Sequence, residues 1–304
     1  SGGNYNTVVG DEAGTAITTG DSNAAFGAYA LDATTTASNN TAIGASSLST
    51  NTTGDANTAV GRDALYANTT GANNVAVGTY ALDANTTASN NTAVGYEALL
   101  DNTTGAQNTA VGFRSLYNNT TASNNTAVGQ DALYTNTTGA NNVALGHSTL
   151  VANTTGATNV AVGFQALKDN TTGNDNVAVG ELALENNTTG LRNTALGTNA
   201  LYTKTTGNDN VAVGNAALYS ATNSSNNTAV GANALQANTT GTENAAVGMS
   251  SAAANTTGSY NVSLGKGTLE TNTTGSNNTA VGTNSLQNAT TASYNTAVGS
   301  YALI

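Results

Sequence analysis

Apolar residues recur along this chain at a fixed interval of 17 residues. Written from its Asn, the unit reads N-(T/V)-A-V-G-x-x-A-L-x-x-N-T-T-G-x-x. Eighteen copies follow one another without insertion or deletion. Asn holds position 1 and Gly position 5 in all 18 copies, Val holds position 4 in 13, and Leu holds position 9 in 16. Positions 1 to 4 alternate with a period of two. This predicts a short strand with positions 2 and 4 on one face and positions 1 and 3 on the other. Gly at position 5 turns the chain at positive φ. Positions 7 to 10 predict a second short strand carrying Leu, and N-T-T-G predicts a turn. Seventeen residues cannot hold two packed helices, and Asn, Thr, Val and Gly are poor helix formers. The expected fold is therefore all-β, a parallel β-solenoid or β-roll with two strands and two turns per coil. A single continuous solenoid over residues 1–304, without a linker, would stack about 18 coils over roughly 85 Å at ~4.8 Å each. Val at position 4 and Leu at position 9 are expected to line its interior.

Stacking places each residue over its equivalent one coil away. Asn91, Asn108 and Asn125 are expected to form an amide ladder along the axis, with Gly95, Gly112 and Gly129 as the accompanying turn column. The alternative, that these Asn only serve a turn, is equally structural. Position 3 is Ala in 16 of 18 copies, whereas water-facing positions 6, 7 and 10 vary. A row of small apolar residues on the face opposite Val predicts close approach to another surface. Ala93, Ala110 and Ala127 are the expected seam of a lateral assembly, most simply a trimer. Packing of the same Ala inside one chain is the competing reading.

Composition narrows the chemistry. The 304 residues carry 6 Lys and Arg against 17 Asp and Glu, a formal net charge of −11. So few, scattered cations argue against nucleic acid. The chain has no Cys, which excludes disulfides, thiolate metal sites and Cys nucleophiles. No apolar run is long enough to span a membrane. His147, the only His, has no recurring Ser or carboxylate relay around it. Glu97, Asp101, Asp131 and Glu181 are scattered near turns and read as solubility and inter-fibre repulsion. No acidic Asp-x-Asp-Gly calcium loop occurs, and Gly265-Lys266-Gly267-Thr268 lacks the upstream Gly of a phosphate loop. The expectation is a protein that is not an enzyme, with no catalytic, metal or cofactor residues.

Three recurring features keep two readings each. The Thr column at position 13 either satisfies turn backbone or forms a flat array of the kind that binds ice. Asn-Thr-Thr in 12 copies is either turn chemistry or a set of N-glycosylation acceptors. Tyr66, Tyr117, Tyr134, Tyr202 and Tyr219 at position 10, with Tyr29, Tyr80 and Tyr301 at position 7, either pack across coils or offer an adhesive surface to glycans or neighbouring fibres.

The repeat resembles the head repeat of trimeric autotransporter adhesins, N-S-V-A-I-G-x-x-A. Asn40-Thr-Ala-Ile-Gly44, Asn91-Thr-Ala-Val-Gly95 and Asn125-Thr-Ala-Val-Gly129 carry the resemblance. It implies a left-handed β-roll, three chains around one axis, and an exposed adhesive or spacer role at the cell surface. Similar repeats occur in phage tail fibres. The family unit is nearer 14 residues, so N-T-T-G looks like an added loop, and no coiled-coil stalk or membrane anchor accompanies the repeats.

Taken together, the expectation is a structural extracellular fibre or adhesin segment whose main partners are copies of itself, with host or surface glycans as further candidates. The alternatives are a ligand-binding solenoid, for ice or glycan, and a tail-fibre shaft. Ser1 falls at repeat position 13 and Ile304 at position 10, so joining Ile304 to the next copy's Ser1 skips only positions 11 and 12. That near-continuity predicts head-to-tail stacking into a filament, with a stretch cut from a longer repeat protein as the competing reading.

Overall fold

The computed structural model describes residues 3–203 and 206–304. Ser1 lies outside them. The protein is an all-β parallel solenoid of 18 strands, each three residues long, and the described residues contain no helix. The chain forms two compact units, Ser1–Thr155 and Gly156–Ile304. The first holds nine strands, β1 (Thr7–Val9) to β9 (Val143–Leu145); the second holds β10 (Val160–Val162) to β18 (Thr296–Val298). Within each unit every strand pairs in parallel with the strand 17 residues on. Thr92, Ala93 and Val94 lie opposite Thr109, Ala110 and Val111, for example. The interval in the sequence is thus the register of the sheet.

The alternation along the strand is as expected, but the buried face is the opposite one. In the strands of both units the middle residue, position 3, is the most buried, and positions 2 and 4 face outward. Ala93, Ala110 and Ala127 are fully buried inside their own coil, as are Leu99 and Leu116 at position 9. Val77 and Val128 at position 4 keep 36% and 37% of their surface exposed. The Ala row therefore is not an intermolecular seam, and Val does not line the interior. A 17-residue coil is too thin to carry large side chains on both walls. Leu fills the space from one wall, and the facing wall holds Ala at position 3 in 16 of 18 copies.

The second expected strand is also absent. Positions 6 to 11 form consecutive turns, with Glu97 at φ 54° and Leu99 at φ 57°. The left-handed region costs an L-residue about 1–2 kcal/mol. Burying a Leu stabilises by about 1.5–3 kcal/mol, enough to hold it there. The alternating backbone also aims successive amides in opposite axial directions. Glu97 N–H donates to the Thr79 carbonyl of the preceding coil at 3.1 Å, and Leu99 N–H to the Ser115 carbonyl of the following coil at 2.9 Å. The turn segment is thereby bonded to coils on both sides, as the strand is.

Gly95, at φ 137°, requires the absence of a side chain: a Cβ there would collide with the carbonyl of Gly112 in the next coil. The same approach recurs at Gly112 and Gly129. The first coil departs from the repeat in a compensated way. Val8 stands in place of Ala and Gly14 in place of Leu, and a Cβ on Gly14 would come within 3.1 Å of a Val8 methyl.

Candidate functional site

The interior is organised by two Asn columns. At position 1, Asn108 N–H donates to Asn91 Oδ1 at 2.9 Å, and Asn125 N–H donates to Asn108 Oδ1 at 3.0 Å. The expected ladder at Asn91, Asn108 and Asn125 is present, but there it links each side-chain oxygen to the next backbone amide. In the second unit the same column adds amide-to-amide bonds, as from Asn210 Nδ2 to Asn193 Oδ1 at 2.9 Å.

A regular amide-to-amide ladder occupies position 12, where the sequence predicts a turn or a glycan acceptor. Asn102 Nδ2 donates to Asn85 Oδ1 at 3.0 Å, and Asn119 Nδ2 donates to Asn102 Oδ1 at 2.8 Å. The second unit repeats this, with Asn272 Nδ2 on Asn255 Oδ1 at 2.8 Å. The two columns are tied together at position 15. The Gly105 carbonyl accepts Asn91 Nδ2 and Asn102 Nδ2, both at 2.9 Å. Where Ala replaces Gly, as at Ala122, the same carbonyl takes the same two donors. The recurrence of Asn at position 12 was the available signal for this column.

These bonds decide two open readings. All 12 Asn of the Asn-Thr-Thr segments are buried, and their amides face the interior. They are core residues, so the folded chain does not present them as glycan acceptors. The Thr column at position 13 is likewise occupied: Thr86 Oγ1 donates to the Thr103 carbonyl at 3.1 Å, and Thr103 Oγ1 to the Thr120 carbonyl at 3.0 Å. Its hydroxyls run along the axis into backbone and do not form an outward plane.

The variable positions 6, 7, 10 and 17 pair coil to coil on the outside. Arg114 meets Asp131 at 3.2 Å, Lys168 meets Glu185 at 3.2 Å, and Arg192 holds Asp209 through two bonds of 2.6 and 2.9 Å. Tyr117 stacks on Tyr134, and Tyr202 on Tyr219, each with centroids 5.1 Å apart. One aromatic run is longer. Tyr80 meets Tyr96 edge-on at 6.3 Å, and Tyr96 stacks on Phe113 at 5.7 Å. Arg62 lies 4.8 Å from the Tyr80 ring centre, and Arg114 lies 4.6 Å from that of Phe113. Beside this run, burial and the nearby carboxylates of Asp63 and Asp101 push Asp83 up to about 6. Burial, then Glu97, raises Asp101 as well.

His147 and Glu181 are exposed. Among the described residues no three His, Cys, Asp or Glu side chains are grouped to hold a metal ion, and no helix could cross a membrane. Ile304 is exposed; Ser1, its expected neighbour in a filament, lies outside the described residues. An open cleft at the first coil is lined by Tyr5, Val8, Gly14 and Ile17.

What remains is the outer strand face. Positions 2 and 4 contain only Thr, Val, Ala, Ile, Leu and Phe in all 18 copies. No protein-family model matches the chain. No curated protein is similar enough to count as a relative.

Proposed function

We propose that the protein is a structural, non-enzymatic segment of an extracellular or cell-surface fibre that assembles with copies of itself. The observation that supports this most directly is the use of its interior polar groups. The amides of Asn91 and Asn102, like the hydroxyl of Thr103, are spent on bonds within and between coils. Such columns tie each coil to the next along the axis. The extracellular setting rests on the resemblance of Asn91-Thr-Ala-Val-Gly95 to adhesin head repeats. Aligned material should diffract with a sharp reflection near 4.8 Å along the fibre axis, because the strands run across it. Negative-stain micrographs showing only discrete, unassociated molecules at every concentration would overturn the reading.

A glycan-binding role is favoured by one feature, the exposed run of Tyr96 and Phe113 flanked by Arg62 and Arg114. Exposed rings beside guanidinium groups suit apolar sugar faces and sugar hydroxyls. Retention on immobilised polysaccharide that Tyr96→Ala with Phe113→Ala abolishes would support it. Equal retention of both proteins would remove it.

A further inference from the structure

We infer that the outward face of the strands is where a second copy of this chain packs, sheet against sheet. The inference rests on the fibre reading above and names the surface through which copies meet. In the first unit that surface is two parallel columns, Thr92, Thr109 and Thr126 beside Val94, Val111 and Val128, continued by their equivalents in other coils. Every side chain in them points away from the coil interior.

Three observations carry it. The first is the absence of charge. The chain has 6 basic and 17 acidic residues, and none stands at position 2 or 4 in any copy. A water-facing strand normally carries Lys, Glu or similar residues that protect it from association. Here the exposed residues are instead Val77, Val128, Val179 and Leu264, with 36% to 48% of their surface open.

The second is size. Nine rows at ~4.8 Å, each three residues of ~3.3 Å, make a face of about 430 Å² in each unit. A contiguous uncharged patch of this size is often functional. Two copies mating over this face in one unit would bury about 860 Å² in total, at the low end of specific interfaces.

The third is self-complementarity, joined to charge. Columns of near-identical residues at one spacing fit a copy of themselves, as a two-fold interface demands. Val methyls interdigitate, and Thr hydroxyls bond Thr across the seam. The molecule carries a net charge of −11, all of it on other positions. The strand face is where two such copies approach with least repulsion.

The chain has no Cys, so Val111→Cys introduces a single thiol. Mild oxidation should convert that variant to a covalent dimer, whereas Thr104→Cys, on an exposed turn, should stay mostly monomeric. Val94→Lys with Val111→Lys should halve the mass seen by light scattering. Its circular dichroism spectrum should be unchanged, because both lysines point to solvent in the single chain. A wild-type protein that scatters as a monomer across concentration would overturn the inference, as would an unchanged mass in the lysine variant. A monomer that shapes growing ice crystals would overturn it too, and would assign the regular Thr and Val columns to ice. The two readings fail separately. Fibres that form equally well with the lysine pair sink the seam and leave the fibre. A sheet-to-sheet dimer that never elongates sinks the fibre and leaves the seam.

Discussion

Asn102 donates from Nδ2 to Oδ1 of Asn85, 17 residues earlier, at 3.0 Å, and both side chains are fully buried. A primary amide has one acceptor and two donor hydrogens. Asn102 uses both sides: its second donor reaches the Gly105 carbonyl, and its oxygen accepts from Asn119. An interior built this way takes part of its stability from directional bonds, where an ordinary core relies on apolar bulk.

Replacing Asn102 should therefore be costly although it removes no apolar surface. Asn102→Ala deletes two donors and leaves Asn119 Nδ2 without its buried acceptor, for an expected loss of about 2–3 kcal/mol. Asn102→Asp should be at least as damaging, since it buries a charge. Urea unfolding of the variants measures this, and a loss below a few tenths of a kcal/mol would contradict the ladder's role.

Leu99 is buried yet sits at φ 57°, so two effects oppose each other when it is truncated. Leu99→Ala should destabilise by about 2.5–5 kcal/mol through the lost burial and the cavity. Leu99→Gly loses slightly more surface but relieves about 1–2 kcal/mol of left-handed strain. The glycine variant should thus be no less stable than the alanine variant, the reverse of the order at a residue with ordinary φ. Parallel thermal and urea melts decide it.

Ala110→Glu should prevent folding of the surrounding coils. The side chain has no exposed surface in the single chain, and an unpaired buried carboxylate costs several kcal/mol. Hydrogen exchange should show lost protection in the flanking strands. A folded monomer carrying this change would mean that Ala110 is not interior.

Asp83 has a folded pKa of about 6, above its ordinary 3.8. The folded state thus binds the proton more tightly than the unfolded state. The ionised side chain costs stability above pH 6, and the cost disappears as pH falls from 6 through 3.8. Because the group is half exposed, solvent screening limits this to about 1 kcal/mol. Asp83→Asn should be more stable than wild type by that amount at pH 7 and equal to it below pH 4, as read from denaturation midpoints across the range.

Much of this was legible from residue spacing alone. The 17-residue recurrence determined the coil length, the parallel register and the absence of helix, because a stacked coil can repeat only if equivalent residues meet. The invariant Asn91 marked a ladder, found with backbone amides as its donors, and the invariant Gly95 marked a turn at positive φ; the close backbone approach at Gly95 was not legible. The same regularity left no room for a catalytic constellation to be read, since chemistry needs distinct residues converging from different places.

Only the tertiary structure decided which side of the strand is inside. Hydropathy favours burying Val94 over Ala93, and for an isolated strand that is the right choice. In a closed coil of 17 residues the opposite wall lies too near, Leu99 already fills the gap, and Ala is what fits against it. That same closure turned Leu99 into the left-handed region, sent the amide of Asn102 inward to its neighbours, and left the valines outside, where another surface can meet them.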